Sequence, residues 1–100
     1  MNDFHWKLDG VCFVCDQDKR KTNIKKHGID PVQSSYAFTD PFAVNCYDPA
    51  HSAEEDRHHI IGKMSNEVLI LVAYTMRNET LRIISARKAE GREEKIYAGQ

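Results

Sequence analysis

Long apolar runs are missing from this sequence. No window approaches the ~20 apolar residues of a membrane span. The opening MNDFHWKLDG also lacks the basic start and apolar centre of a secretory signal. Three cysteines, an odd number, do not make a disulfide framework and fit a reducing compartment. The expectation is a cytoplasmic protein with no membrane association. An excess of one charge is missing too, since 14 Lys and Arg stand against 15 Asp and Glu, a formal net charge of -1. Attraction to nucleic acid would therefore have to come from local segregation of charge. Repeats, linkers and low-complexity tracts are absent, so 100 residues, 41% of them apolar, read as one domain over 1–100 with one core.

The C-x-x-C formed by Cys12 and Cys15 raises zinc or dithiol chemistry. It lies in the apolar strand-former VCFVC, where residues three apart point to opposite faces and cannot grip one ion. A zinc knuckle wants glycine or a polar turn between its cysteines, and a redox pair wants a helix start. Packed thiols are expected, with no metal and no cofactor.

Along the chain, FHWKLDGVCFVC reads as two strands around Asp9-Gly10, a type I′ turn signal because both positions need positive φ. Residues 1–12 would thus add a strand or hairpin. Asp16 caps a helix running to about His27 and closed by Gly28, a polar helix with Ile24 as its main apolar anchor. Asp30, Pro31 and Gln33 start a second helix, with Val32, Tyr36 and Ala37 facing inward and Thr39-Asp40-Pro41 stopping it. FAVNCY is a strand and DPAHSAEED a polar loop, expected to be the most mobile part. RHHIIGKM, EVLILVAYT and ETLRIISA follow as strands. The middle one is apolar from Val68 to Ala73, as in a central strand covered on both faces. A short helix from about Glu90 to Tyr97 closes the chain. The fold class is α+β: a small twisted antiparallel sheet with two helices from the N-terminal half and a short C-terminal helix, leaving one face or end for work.

The charged positions suggest what that work is. KRKTNIKKH, residues 19–27, carries five Lys and Arg and no acid. It can supply salt-dependent contacts to a phosphate backbone or dock an acidic protein. Arg57 opens one strand; Arg82 lies within another and Arg87 ends it beside Lys88. Guanidinium groups fork onto phosphate oxygens and stay charged at neutral pH, so they can hold a phosphodiester and stabilise its transition-state charge. The ordinary alternative is that each pairs with a neighbouring acid such as Glu54, Glu55, Glu93 or Glu94. Strict pleat parity sends Arg82 and Arg87 to opposite faces, so their convergence requires twist or a bulge. RNA suits such a set because its 2′-hydroxyl is a built-in nucleophile and no cofactor is needed. The candidate proton carriers are His27, His58, His59, Tyr97, Lys25, Lys26 and Lys88. Alternation turns one of His58 and His59 to the core and the other to solvent.

DQDKRKTNIKKHGI, a short helix, DPFAV, an acidic step ending in EDR, a glycine after four intervening residues and RIISARKAEGREEKIY together resemble the BrnT family of bacterial toxins from type II toxin–antitoxin pairs. The resemblance runs from Phe13 to Tyr97 and is most specific in KHG and in ISARKA…RE…Y. It implies a RelE-like fold and a ribonuclease that cleaves RNA without a metal and so inhibits growth. It also implies a BrnA-like antitoxin with a ribbon-helix-helix part, operator DNA being met only through that antitoxin.

Carried over by position, EDR marks Arg57, SARKA marks Arg87 and Lys88, the tail marks Glu93 and Tyr97, and KHG marks Lys26 and His27. On this reading Arg57 and Arg87 clamp the scissile phosphate, Tyr97 or a lysine orients or exchanges a proton, and Glu93 positions an arginine. Lys19, Lys25, Lys26, His27 and Arg82 bind RNA. Two departures stand out. Cys15 occupies the tryptophan place of the family's F-x-W-D start, and an extra N-terminal stretch carries Trp6. A free sheet edge makes a homodimer plausible in isolation. The alternative function is a catalytically weak module that binds nucleic acid or protein through helix 19–27 and a sheet edge.

Overall fold

A computed structural model describes residues 2–99. Strands β1 (Asp3–Leu8) and β2 (Val11–Asp16) pair antiparallel across Asp9 and Gly10, whose φ values of 51° and 77° are those the turn signal demands. Helix α1 (Gln17–His27) starts where the Asp16 carboxylate accepts the Lys19 N–H at 2.9 Å and ends at left-handed Gly28, φ 69°. Helix α2 (Pro31–Ser34) is a single turn capped by Asp30 and continues as a 3-10 turn over Ser35–Thr39. Then come β3 (Val44–Tyr47), a 3-10 turn (Pro49–His51), β4 (His58–Lys63), β5 (Leu69–Arg77), β6 (Thr80–Lys88) and α3 (Gly91–Ala98).

The strands form one six-stranded sheet in the order β1-β2-β6-β5-β4-β3. It is mixed rather than wholly antiparallel, because β2 runs parallel to β6, with Cys12–Val14 opposite Thr80–Arg82. The reason is topological. The β1–β2 hairpin is complete before the helices carry the chain to the far edge, and the β3-to-β6 meander then returns to β2 in the same direction as β2.

The core lies between the sheet and α1, α2 and the 3-10 turn. Phe13, Ile60, Ile70, Val72, Tyr74, Leu81, Ile83 and Ala86 project into it from the strands, and Ile29 and Ala37 meet them from the helical layer. Gly62 allows the close approach of that layer, since a Cβ there would stand 2.8 Å from the Ala37 carbonyl oxygen.

Several expectations are corrected. Ile24 does not anchor α1, being 42% exposed; the buried residue is Asn23. Its amide donates to the Ile29 oxygen at 2.8 Å and the Ala86 oxygen at 2.9 Å, and its oxygen accepts the Ala86 N–H at 3.0 Å. Asn23 thus completes the backbone of β6 beyond the reach of β2, which explains how a nearly all-polar helix stays docked. Tyr36 faces outward, while Ala37 is fully buried and Val32 half-buried. β5 is core on one face only: Leu71 and Ala73 are half-buried on the other, and α3 lies on that second face against β4. Cys12 and Cys15 are free thiols, and burial pushes the Cys15 thiol up to about 11, where it stays protonated at neutral pH.

Asn23→Ala is expected to lose about 2–4 kcal/mol in urea unfolding, because it strands the Ala86 N–H and two carbonyls without partners. A loss below about 0.5 kcal/mol would show that water satisfies β6 equally well.

Candidate functional site

The second sheet face owes its composition to one irregularity. Ala73 pairs with Ser85 but Tyr74 pairs with Ile83, so β6 carries one extra residue, Ile84, at a bulge. Five positions separate Arg82 from Arg87, and a regular strand would send them to opposite faces. The extra residue restores parity. Arg82 (opposite Thr75) and Arg87 (opposite Leu71) now share the face that also carries Arg57, His59 and Ile61 from the β4 side.

Arg87 sits in a cleft of about 450 Å³ that α3 walls together with β4 and the loop after β3. Its Nη1 donates to Glu93 Oε1 at 2.9 Å and to the Lys88 oxygen at 3.1 Å. The same Glu93 oxygen accepts the Glu90 N–H at 2.7 Å, closing a reciprocal cap at the start of α3. One buried carboxylate therefore fixes both the guanidinium and the helix. The Arg87 hydrogen bond, with backbone donation from Glu90, outweighs burial and holds the Glu93 carboxyl below its ordinary range. Arg92, His59, Asp48 and Ile96 complete the wall. Lys88 is exposed at the strand end.

A second depression gathers Arg57, Arg77, Arg82 and Lys19 with Asp3, Asp16 and Glu55. Glu55 grips Arg77 through two bonds of 2.7 and 2.6 Å, and Asp3 grips Arg82 at 2.7 and 3.4 Å, while Arg82 Nε is buried with no partner. Among the described residues the Arg57 side chain makes no hydrogen bond and no ion pair; its backbone N–H donates to Ser52 Oγ and its carbonyl accepts the Asp48 N–H, both at 2.9 Å. Lys19 also borders a groove beside α1, where Lys26 and His27 meet Ile84 and Ser85. Lys25 is exposed outside that groove.

Arg57 and Arg87 thus share a face but not a pocket. Arg57 lies four residues along β4 from Ile61, the residue in Arg87's row, roughly 13 Å at about 3.3 Å per residue. Glu93 also holds the Arg87 head toward α3. The two guanidiniums are therefore placed too far apart to pinch one phosphate between them. Tyr97 stands apart, around the other side of α3, where its hydroxyl donates to Asp40 Oδ2 at 2.8 Å. Asp40 also accepts the backbone N–H groups of Phe42 and Lys63 at 2.9 and 2.8 Å, so this carboxylate ties α3 to β4. The Asp40 bond comes first, then burial, in pushing the Tyr97 phenol up to about 12.

The histidines divide by alternation. His58 lies on the core side between the rings of Tyr47 and Tyr74, at 5.5 and 5.6 Å. His59 faces the cleft, its Nε2 3.3 Å from Asp48 Oδ2; the same oxygen meets His51 Nδ1 at 2.8 Å. Nothing in the sequence patterns pointed to Asp48 or His51. DPAHS looked like plain loop, and the one available signal was an acid three residues before a histidine in a turn-forming segment.

The family model described as "Ribonuclease toxin, BrnT, of type II toxin-antitoxin system" matches residues 15–93. Among solved structures, the chain is similar to the 1.1 Å crystal structure of the Brucella abortus ribonuclease toxin BrnT, with 28% identity and a TM-score of 0.57. That match covers 76% of this chain and 92% of the Brucella chain. Comparison with the curated proteins gave no match.

Tyr97 yields a test of the tie between α3 and β4. Its folded pKa of about 12 lies above the ordinary 10, so the stabilisation it gives is complete below pH 10 and is lost as pH rises through about 12. Phenolate absorbance of the wild type minus that of Tyr97→Phe should show a step near pH 12. A step at pH 10 would mean that the Asp40 contact is not formed in solution.

Proposed function

The chain belongs to the BrnT family of type II toxin–antitoxin ribonuclease toxins, and on that premise we propose that it cleaves RNA on the second sheet face without a metal ion. Release from its antitoxin would then halt growth. The observation that carries this reading is the bulge at Ile84, which brings Arg82 and Arg87 onto the face of Arg57. A backbone laid from Arg57 toward Arg87 would meet cations at both ends. The 2′-hydroxyl supplies the nucleophile and fixed guanidinium charge stabilises the phosphorane, so the chemistry has no step that requires a metal.

Each residue then has a part. Arg57, near Glu54 and Glu55 but in ion-pair contact with neither, holds the substrate backbone. Arg87 and Arg92 face the charge that develops in the cleft, with Glu93 positioning Arg87 rather than exchanging protons, since it is held ionised by that same arginine. Lys19, Lys26 and His27 extend the cationic track along α1, and Lys25 and Lys88 add charge at its margins. Arg82 contributes once Asp3 yields. Tyr97 maintains the seat of α3. The partner is an antitoxin, in this reading BrnA-like with a ribbon-helix-helix part, through which alone the complex meets operator DNA. Self-association of the isolated protein through a free sheet edge belongs to the same proposal.

That three of the four guanidiniums on this face are already clamped by acids favours one rival, a module that binds RNA without cutting it. Purified protein incubated with RNA in EDTA decides between them. Cleavage should persist in the chelator, Arg87→Ala should lower kcat about 10²–10³-fold, and Arg57→Ala should act mainly on KM. Salt-dependent retardation of RNA with no products from wild type would establish the rival, and equal activity of both variants would remove the arginines from the mechanism.

A further inference from the structure

The arginines supply charge but no proton transfer, and the structure holds an unassigned group that can. We infer that Asp48 carries a matched pair of catalytic imidazoles, His51 and His59, serving as general base and general acid of the RNA cleavage proposed above; the inference rests on that ribonuclease reading. A single oxygen, Asp48 Oδ2, lies 2.8 Å from His51 Nδ1 and 3.3 Å from His59 Nε2. The two rings line different hollows. His59 borders the cleft of Arg87 and Arg92, and His51 borders the hollow of Arg57. The shared carboxylate therefore stands between the two cationic ends of the face, where the scissile bond of a bracketed strand would lie.

The tautomers follow from charge. Burial alone would raise the Asp48 carboxyl, but the hydrogen bond from His51 and the charges of both imidazoles outweigh it and hold the group below its ordinary range. An ionised carboxylate only accepts, so the hydrogen of the His51 bond sits at Nδ1, while His59 Nε2 meets the same oxygen as an ion pair when its ring is protonated. His51 then presents Nε2 as a lone pair on a side chain 66% exposed, and protonated His59 presents Nδ1–H on one 34% exposed. The charged groups facing His51 are Asp48, Glu54, Glu55 and Arg57; those facing His59 are Asp48, Arg87, Arg92 and Glu93, with Cys46 beside it on β3.

The step balances without a co-reactant. His51 Nε2 takes the 2′-hydroxyl proton as that oxygen bonds to phosphorus. The bond from phosphorus to the 5′-oxygen breaks with its electron pair, and that oxygen receives the Nδ1 proton of His59. The products are a 2′,3′-cyclic phosphate and a 5′-hydroxyl, with one imidazole protonated and the other neutral, as at the start but exchanged. Asp48 is a positioning residue.

The test measures kcat/KM against pH on an oligoribonucleotide and on uridine 3′-(4-nitrophenyl phosphate), whose leaving group needs no acid. Wild type should give a bell-shaped profile. His51→Gln should lose about 100-fold or more on both substrates and flatten the acidic limb. His59→Gln should lose as much on RNA, flatten the alkaline limb and stay within about tenfold of wild type on the nitrophenyl ester. Asp48→Asn should displace both limbs. If wild type cleaves RNA and both histidine variants match it within about threefold, the pair is wrong and the ribonuclease reading stands. Equal losses of His59→Gln on both substrates would overturn its role as acid. Wild type that cleaves neither substrate would overturn the ribonuclease reading and the pair with it.

Discussion

One extra residue in β6 decides what the second face of the sheet can be. Without Ile84 opposite the Ala73–Tyr74 step, Arg82 or Arg87 would project into the layer of Ile70, Val72 and Ile83. A guanidinium forced into that apolar layer without a partner costs several kcal/mol, more than a small domain can spare. Ile84 itself, half-buried, spreads over the junction between the α1 groove and the depression of Arg57 and Arg82. The bulge thus serves the core and the charge distribution together, as bulges beside functional surfaces commonly do.

Carboxylates then set the geometry that the bulge makes available. Glu93 fixes Arg87 and the first turn of α3 with one oxygen; Asp40 fixes β4, the turn at Phe42 and the far end of α3; Asp48 holds two imidazoles. Each is an acceptor for donors from separate elements, so each is worth more as a positioner than as a charge. Charge-assisted bonds matter most where the groups are shielded from water, as at Glu93, and surface pairs such as Arg77–Glu55 add little. The helix that walls the cleft is therefore held at both ends by polar contacts. Its apolar content is slight, with Ile96 itself 38% exposed.

How much of this was legible follows from where the information sits. Turn chemistry is local: Asp9-Gly10, the Asp16 cap, Gly28 and the Asp30-Pro31 start all appear as written, because each depends on a few adjacent residues. Alternation separated His58 from His59 correctly and identified the parity conflict between Arg82 and Arg87, but a bulge leaves no local signature in RIISA, so its position had to come from strand pairing. The anchor of α1 was missed for a related reason. Asn23 looks like one more polar residue until β6 is seen running past the end of β2 with its Ala86 backbone unpaired. The Asp48–His51–His59 cluster joins a 3-10 turn to a strand across a segment that reads only as loop.

The N-terminal hairpin lies almost wholly outside the residues 15–93 that match the family, β1 entirely so. Over Cys15 the hairpin brings aromatic bulk to the core side. Phe4 pairs opposite Cys15, and Trp6 stacks on Phe13 at 5.5 Å while its indole N–H donates to Ser35 at 3.1 Å. Stacked pairs of this kind add about 0.5–1.5 kcal/mol beyond their burial. The same strand subtracts from the cationic track. Asp3 occupies the fork of Arg82, and the Phe4 ring lies 4.3 Å beneath the Arg20 guanidinium, which Asp30 already holds through two bonds. Core packing and charge withdrawal come from one six-residue strand, so removing it to expose more cations would also uncover Phe13 and Cys15. Lys19, Arg57 and the Arg82 that Asp3 holds still line one depression of the second face, which the bulge made possible by turning Arg82 to that side.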